Sequence, residues 1–125
     1  MIKEDLLDKY LNWLKNEFTI TKKSKGWFEV TTPFLDRHND HIQFYFKEIK
    51  PNIFQLSDMG DTLIDNGEWN GLLQDEKRVK EYVGIAKCYG VEFNRDTGCL
   101  DMETDLLNFP QSKHNFIQCI LRLGW

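Results

Sequence analysis

The sequence predicts an α+β protein with elements in the order α-β-β-β-α-α-β-β-α, in which helices pack on a five-stranded antiparallel sheet. Three observations predict it. Residues 41–47 alternate apolar and polar side chains, the pattern of a strand with one buried face. Turn residues separate this strand from a second apolar run. Other segments repeat apolar residues at helical spacing, and hairpins separated by helices exclude a doubly wound parallel sheet.

The strands fall into two antiparallel groups. The predicted strands are residues 27–31, 41–47, 53–56, 91–94 and 99–104. Lys50-Pro51-Asn52 forms the turn within the first group, because Pro fixes φ and Asn tolerates turn geometry. Residues 94–98 form the turn of the second group, which is a hairpin. Residues 19–26 and the polar connection 33–40 are predicted to be loops.

Long helices are predicted at residues 2–18, after the N-cap Asp75 up to Gly90, and from Pro110 onward. A short helix is predicted to begin at Asp61 or Thr62. The apolar stripes are Leu7, Leu11, Leu14 and Phe18 in the first long helix, Val79, Tyr82, Val83, Ala86 and Tyr89 in the second, and Phe116, Ile117, Ile120 and Leu121 in the third.

Composition and charge favour a globular protein that binds other proteins. The 125 residues are predicted to form one domain, residues 1–125, and 41% of them are hydrophobic. The net charge of −4 suits a basic partner better than nucleic acid. Three cysteines without a CxxC pair indicate a reducing compartment. The charged N-terminus and the lack of a long apolar run predict a cytoplasmic protein.

Carboxylates are concentrated at two neighbouring connections. Asp36 and Asp40 lie in the loop before the second strand, and Asp58 and Asp61 lie in the turn after the third. If the three strands form a meander, both connections emerge at the same end of the sheet and gather the four carboxylates. Such a group suits Mg²⁺ and metal-dependent hydrolysis of phosphodiesters. The alternative is that these residues shape turns and caps, a common use of Asp.

Other catalytic patterns are weaker. Glu48-Ile49-Lys50 has the acidic-x-Lys spacing of restriction-type nucleases, but it adjoins a Pro turn. His38, Asp40 and His41 lack the defined ligand spacing of a zinc site. Cys88 and Cys119 lie next to apolar helix faces and are predicted to be small core residues. No Gly-rich phosphate loop is present, and no cofactor is predicted.

The segments WFEVTTPFLDRHNDHIQFYF and FQLSDMGDTL resemble a bacterial and phage family catalogued as domain of unknown function number eighteen twenty-eight. Family members have a TPFLDRHND-like loop and an LTDDG-like turn, in which Met59 here replaces the usual acid. The likeness extends to residues 108–115, which look like the start of a second domain carried by longer relatives. It implies a phage or mobile-element setting and no established activity. The order of elements is also similar to that of type III secretion chaperones, which are small acidic dimers.

Composition and resemblance together lead us to expect a non-enzymatic protein-binding module, an inhibitor of a bacterial defence system of the anti-CRISPR kind. Carboxylates would stand in for phosphates on a basic, nucleic-acid-binding effector. The expected partner-binding residues are Asp36, Arg37, Asp40, Asp58 and Asp61. A metal-dependent nuclease is the alternative. A homodimer is expected from the exposed aromatic residues Trp13, Trp27 and Trp125.

Overall fold

The computed structural model describes residues 3–63 and 74–124, which contain three helices and six strands. The helices are α1 (Lys3–Glu17), α2 (Glu76–Cys88) and α3 (Phe109–Leu123), and the strands are β1 (Thr19–Lys22), β2 (Phe28–Leu35), β3 (His41–Lys50), β4 (Ile53–Ser57), β5 (Glu92–Phe93) and β6 (Leu100–Asp105). The strands form one open sheet in the order β1-β2-β3-β4-β6-β5. Every neighbouring pair is antiparallel. The predicted α+β class is therefore confirmed.

The prediction of five strands is wrong, because residues 19–22 form a sixth strand, β1. This strand pairs with β2 in a register that sets Thr19 opposite Thr31 and Ile20 opposite Val30. All four of its side chains are exposed at the edge of the sheet. A strand exposed on both faces has no period-two burial pattern, so the local sign of it was the β-branched run Thr19, Ile20 and Thr21.

Strand β2 runs further than predicted, through Pro33 to Leu35. The register between β2 and β3 shifts between Thr31 and Leu35, and Pro, which lacks an N–H donor, is tolerated at such a bulge. The Thr32 hydroxyl donates a hydrogen bond of 2.8 Å to the Ile42 carbonyl oxygen on β3. The polar loop between the two strands is therefore residues 36–40, shorter than the predicted 33–40.

The main core lies between one face of the sheet and helices α2 and α3. Its buried members are Val30, Ile42, Phe44, Leu56, Leu100 and Met102 from the strands, Ala86 and Val91 from and just after α2, and Phe116, Ile117, Cys119, Ile120 and Leu123 from α3. The rings of Phe44 and Phe116 meet edge to face, with centroids 5.9 Å apart. The alternation in β3 and most of the α3 stripe were thus predicted correctly. Leu121, which was predicted to be buried, is half-buried.

Helix α1 does not pack on the sheet as predicted. None of the residues 3–17 is buried. The apolar side chains Leu6, Leu7, Tyr10, Leu11 and Trp13 are each about half exposed or more. The helix meets the rest of the molecule at its C-terminal end, where Leu14 and Phe18 are half-buried.

The predicted ends of α2 are confirmed. The Asp75 side chain caps α2 by accepting hydrogen bonds from two backbone N–H groups of its first turn. Gly90 follows α2 with a φ of 74°, in the left-handed region that favours glycine. The short helix predicted to begin at Asp61 or Thr62 is not formed in residues 61–63, which are a turn, and the rest of that prediction lies outside the described residues, as does Trp125. In the part of the chain that the structure describes, no helix combines the length and apolar character that crossing a bilayer requires.

Candidate functional site

A cleft of about 500 Å³ opens at the end of the sheet where β2 ends, β3 begins and β4 ends. Antiparallel order reverses the chain direction twice between β2 and β4, so the loop 36–40 and the turn 58–62 emerge together, as the sequence predicted. The cleft is lined by Thr31, Asp36, His38, Asp40, His41, Ile42, Gln43, Asp61, Thr62, Ile120, Leu121 and Gly124.

Asp36 organises the loop between β2 and β3. Its Oδ1 atom accepts hydrogen bonds from the backbone N–H groups of His38, at 2.8 Å, and Asp40, at 3.0 Å. The backbone N–H of Asp36 also donates to the Asp40 carbonyl oxygen. Asn39 adopts a φ of 63°, which Asn tolerates better than most residues. These contacts fix the backbone of Asp40 at the edge of the cleft, and its side chain is exposed there.

The two histidines of the cleft are held in different ways. Arg37 Nε donates to His38 Nε2 over 3.3 Å, so that nitrogen is the acceptor in this contact. His41 Nδ1 lies 2.7 Å from the Thr32 carbonyl oxygen, which can only accept. His41 therefore carries a proton on Nδ1, which donates this hydrogen bond.

Asp58 lies beneath the surface of the neighbouring turn and has no solvent exposure. Its Oδ1 accepts from the N–H groups of Gly60 and Leu100, both at 2.8 Å, and its Oδ2 accepts from Thr62 N–H at 3.2 Å. The Leu100 contact ties the end of β4 to the start of β6. Burial raises the pKa of the Asp58 carboxyl, against the opposing effect of these hydrogen bonds.

The backbone of the same turn is left-handed at two successive residues, Met59 with a φ of 54° and Gly60 with a φ of 83°. Gly adopts this conformation without steric cost, whereas Met does not. The Met59 N–H donates to the Ser57 hydroxyl at 3.0 Å. The turn is thus held by Ser57 and Asp58, and it presents the half-buried Asp61 to the cleft.

The structure brings three of the four predicted carboxylates to one cleft, namely Asp36, Asp40 and Asp61. Asp58 is the exception, because its side chain turns inward to satisfy the backbone of its own turn. A fully buried side chain cannot contact a partner, so Asp58 is removed from the expected partner-binding set. Its role is to position Asp61.

Helix α3 supplies an apolar wall to the cleft that the sequence analysis missed. Ile120, Leu121 and Gly124 line the cleft next to Ile42 of β3. The helical spacing of the apolar residues in α3 predicts that they face the sheet. It does not predict that the end of this stripe also borders the cleft. The site therefore combines acidic groups on one side with an apolar wall on the other.

The chemistry expected of a metal centre finds little support. Across residues 3–63 and 74–124, no group of three or more His, Cys, Asp or Glu side chains could hold a metal ion. The acidic-x-Lys element, residues 48–50, lies at the far end of the ten-residue β3 from the cleft. There Glu48 Oε2 accepts a hydrogen bond from Asn52 N–H and shapes the turn.

The cysteines lie outside the cleft. Cys119 is buried in the core as predicted, and burial raises the pKa of its thiol to about 12. Cys88 is exposed, so the prediction of a core residue is wrong there. Cys88 ends α2 on an exposed face, whereas Ala86 before it and Tyr89 after it pack in or against the core.

Comparison with known proteins gives a family. No curated protein and no solved structure matches the chain, so the likeness to secretion chaperones remains a prediction. The family model described as "Domain of unknown function DUF1828" matches residues 32–123, from within β2 to the last residue of α3. The matched segment includes the loop, the turn and two residues of the cleft wall, Ile120 and Leu121, and it leaves out α1 and β1. Because it covers most of the chain, the protein belongs to the DUF1828 family.

Proposed function

We propose that this protein is a non-enzymatic binding module that inhibits a bacterial defence system, as anti-CRISPR proteins do. It acts in the cytoplasm of a bacterium that carries a phage or another mobile element. The cleft at the end of the sheet contacts a basic surface of a nucleic-acid-binding effector. Asp36, Asp40 and Asp61 take the places of phosphate groups on that surface, and Arg37 flanks them.

The observation that carries the proposal is the convergence of the three carboxylates on one cleft beside an apolar wall. Clustered acids raise the rate of encounter with a basic partner and determine its orientation. An adjacent apolar surface supplies the affinity that exposed charge pairs alone lack. The net charge of −4 favours the same class of partner.

The rigidity of the loop and turn also supports a docking role. Asp36 Oδ1 accepts hydrogen bonds from two backbone N–H groups of the loop, and the Asp58 carboxylate accepts two from the neighbouring turn and a third from Leu100 on β6. Side chains on backbone fixed in this way lose little conformational entropy on binding, which strengthens association.

The test uses a panel of purified CRISPR effector complexes, each programmed against one target DNA. DNA binding and cleavage are measured with and without the protein. We expect the protein to inhibit at least one effector at stoichiometric concentration. The inhibition should weaken as the salt concentration rises from about 50 to about 300 mM, because exposed charges are screened over this range. Inhibition of none of the panel would contradict the anti-CRISPR assignment.

Two variants locate the contact on the inhibited effector. Asp40→Lys reverses an exposed charge and should weaken binding by about 10-fold or more, or roughly 1.4 kcal/mol. Asp36→Asn removes a charge but keeps an oxygen acceptor for the loop. The matched control is Glu103→Lys, which reverses an exposed acid on β6 away from the cleft. Equal binding by Asp40→Lys and the control would remove the acidic cleft from the interface.

A metal-dependent nuclease or phosphodiesterase is the second candidate. The observation that favours it is that His38 and His41 line the same cleft as the three carboxylates, although no three of these side chains are placed to hold a metal ion in this structure. Titration calorimetry with Mg²⁺ and Mn²⁺ separates the candidates. Heat of binding that disappears in Asp40→Asn would support the enzyme, whereas no heat at millimolar metal would exclude a preformed site.

A further inference from the structure

Helix α1 presents to solvent an unpartnered apolar stripe of Leu6, Tyr10 and Trp13, which differs from the predicted stripe of Leu7, Leu11 and Leu14. Leu6 is 58% exposed, Tyr10 52% and Trp13 54%. The rings of Tyr10 and Trp13 stack with centroids 6.3 Å apart, so the two side chains form one continuous surface. Contiguous exposed apolar surface of this kind marks an interaction site. The family match begins at residue 32, so α1 lies outside the segment that the family shares.

The spacing of the stripe is that of a helix–helix seam. Lys3, Leu6, Tyr10, Trp13 and Glu17 follow one another at intervals of three, four, three and four residues. Alternation of three and four keeps one line of side chains facing a second helix. The stripe is apolar at its centre and charged at both ends, with a cation at the start and an anion at the end.

The charges at the two ends are complementary in one arrangement. Tyr10 lies seven residues from both Lys3 and Glu17. In an antiparallel pair of α1 helices that cross at Tyr10, Lys3 of each copy therefore lies level with Glu17 of the other. Leu6 of one copy then lies within one residue, or about 1.5 Å of helix rise, of Trp13 of the second.

We propose that α1 is the interface of a two-fold symmetric homodimer, in which the two helices pack antiparallel and cross at Tyr10. A two-fold axis makes the surface self-complementary, as the reciprocal pairing of Lys3 with Glu17 requires. The stacked Tyr10 and Trp13 of both copies form the centre of the interface.

The placement of Lys3 and Glu17 supports this partner over an unrelated one. A cation in the first turn and an anion in the last turn both oppose the helix macrodipole. Glu4, Asp5 and Lys15 in the same turns favour the macrodipole, so Lys3 and Glu17 are the charges placed against it. The antiparallel pair gives each of these two an opposite charge. The helix is about 22 Å long. A pair of such helices buries less accessible surface than a standard protein–protein interface, which buries about 1,600 Å². The dimer is accordingly reversible and dissociates on dilution.

Sedimentation equilibrium of the complete chain over a concentration series tests the dimer. We expect the mass to rise from 14.9 kDa to twice that value. Tyr10→Glu places two acids together at the crossing point and should raise the dissociation constant of the dimer by about 10-fold or more. The matched control is Leu107→Glu, since Leu107 is 88% exposed and lies outside α1.

Two outcomes would overturn the dimer. One is a monomer at every concentration, and the other is equal self-association of Tyr10→Glu and the wild type. A monomer that sediments with anionic phosphatidylglycerol vesicles would assign the stripe to a membrane surface instead. Circular dichroism of dilute samples checks that Tyr10→Glu folds, which we expect because Tyr10 is more than half exposed.

Charge exchange tests the antiparallel register. Lys3→Glu and Glu17→Lys each place like charges together at both ends of the pair, so each should weaken the dimer several-fold. The double variant Lys3→Glu/Glu17→Lys restores both pairs and should return the affinity to that of the wild type. Each single change favours the helix through its macrodipole, so helix loss cannot explain a weaker dimer. Single variants as tight as the wild type, or a double variant no tighter than the singles, would overturn the register.

Discussion

Helices α1 and α3 have the same length, fifteen residues, and both carry an apolar stripe, yet they differ in what they bury. Helix α3 buries five residues, whereas α1 buries none. The stripe of α3 faces the sheet, where the Phe116 ring meets Phe44. The stripe of α1 faces solvent. An amphipathic pattern therefore predicts a helix and an apolar face, but not the surface that covers the face.

The contact between α1 and the rest of the molecule is concentrated at Phe18, the residue after the helix. The Phe18 ring meets Phe34 of β2 edge to face, with centroids 6.1 Å apart. The ammonium of Lys113 on α3 lies 4.1 Å from the centre of the same ring. Partial burial lowers the pKa of Lys113. Phe18 thus packs against the edge of the main core, while the helix that precedes it buries no residue there.

The largest expected effect separates the stability contributions of the two helices. Phe116→Ala should lower the free energy of unfolding by about 3–5 kcal/mol, because it leaves a cavity in the core. Leu7→Ala should lower it by less than about 1 kcal/mol in dilute solution, since Leu7 is more than half exposed. Urea unfolding followed by circular dichroism measures both values. Equal costs would mean that α1 packs on the body of the protein.

The second prediction concerns Asp58, which makes buried hydrogen bonds, whereas α1 buries no residue. Asp58→Asn should cost about 1–3 kcal/mol at pH 7, because its amide nitrogen cannot accept the Thr62 N–H. The wild type should also differ from the variant in its dependence on pH. Burial raises the folded-state pKa of Asp58 above the ordinary 3.8, so the folded protein binds more protons than the unfolded chain between these values.

The sign of that pH dependence follows directly. The stability of the wild type relative to Asp58→Asn should rise as the pH falls from 7 through the folded-state pKa toward 3.8. Urea unfolding at several pH values measures the difference. Asp40→Asn, at an exposed position, provides the control for a change in charge alone. A difference that shrinks with falling pH would show that the hydrogen bonds outweigh the cost of burial.

The smallest expected effect is local and sharpens the role of Phe18. Phe18→Ala should cost about 1 kcal/mol, because a half-buried ring and a cation–π contact are lost. In hydrogen exchange on dilute protein, the amides of α1 should exchange faster while those of α3 stay protected. Ile20→Ala, which truncates an exposed side chain on β1, should leave both helices unchanged. Equal protection of α1 in wild type and Phe18→Ala would show that other contacts hold the helix.

The sequence by itself determined the α+β class, the buried face of β3, the N-cap Asp75 and the apolar stripe of α3. Each of these depends on residues close together in the chain, through period, turn chemistry or capping. The placement of the acidic loop and turn at one end of the sheet also followed from sequence, because antiparallel order reverses direction at every turn.

The tertiary structure decided which surface each of these elements meets. It added β1 through pairing with β2, turned Asp58 inward to bond with Leu100 of β6, and set the α3 wall beside the carboxylates. It also left the stripe of α1 uncovered. The pairing of β1 joins residues only six to twelve positions apart, whereas the other three outcomes depend on residues far apart in the chain. Local pattern carries no information about such distant contacts, because the same stripe or carboxylate suits several surroundings.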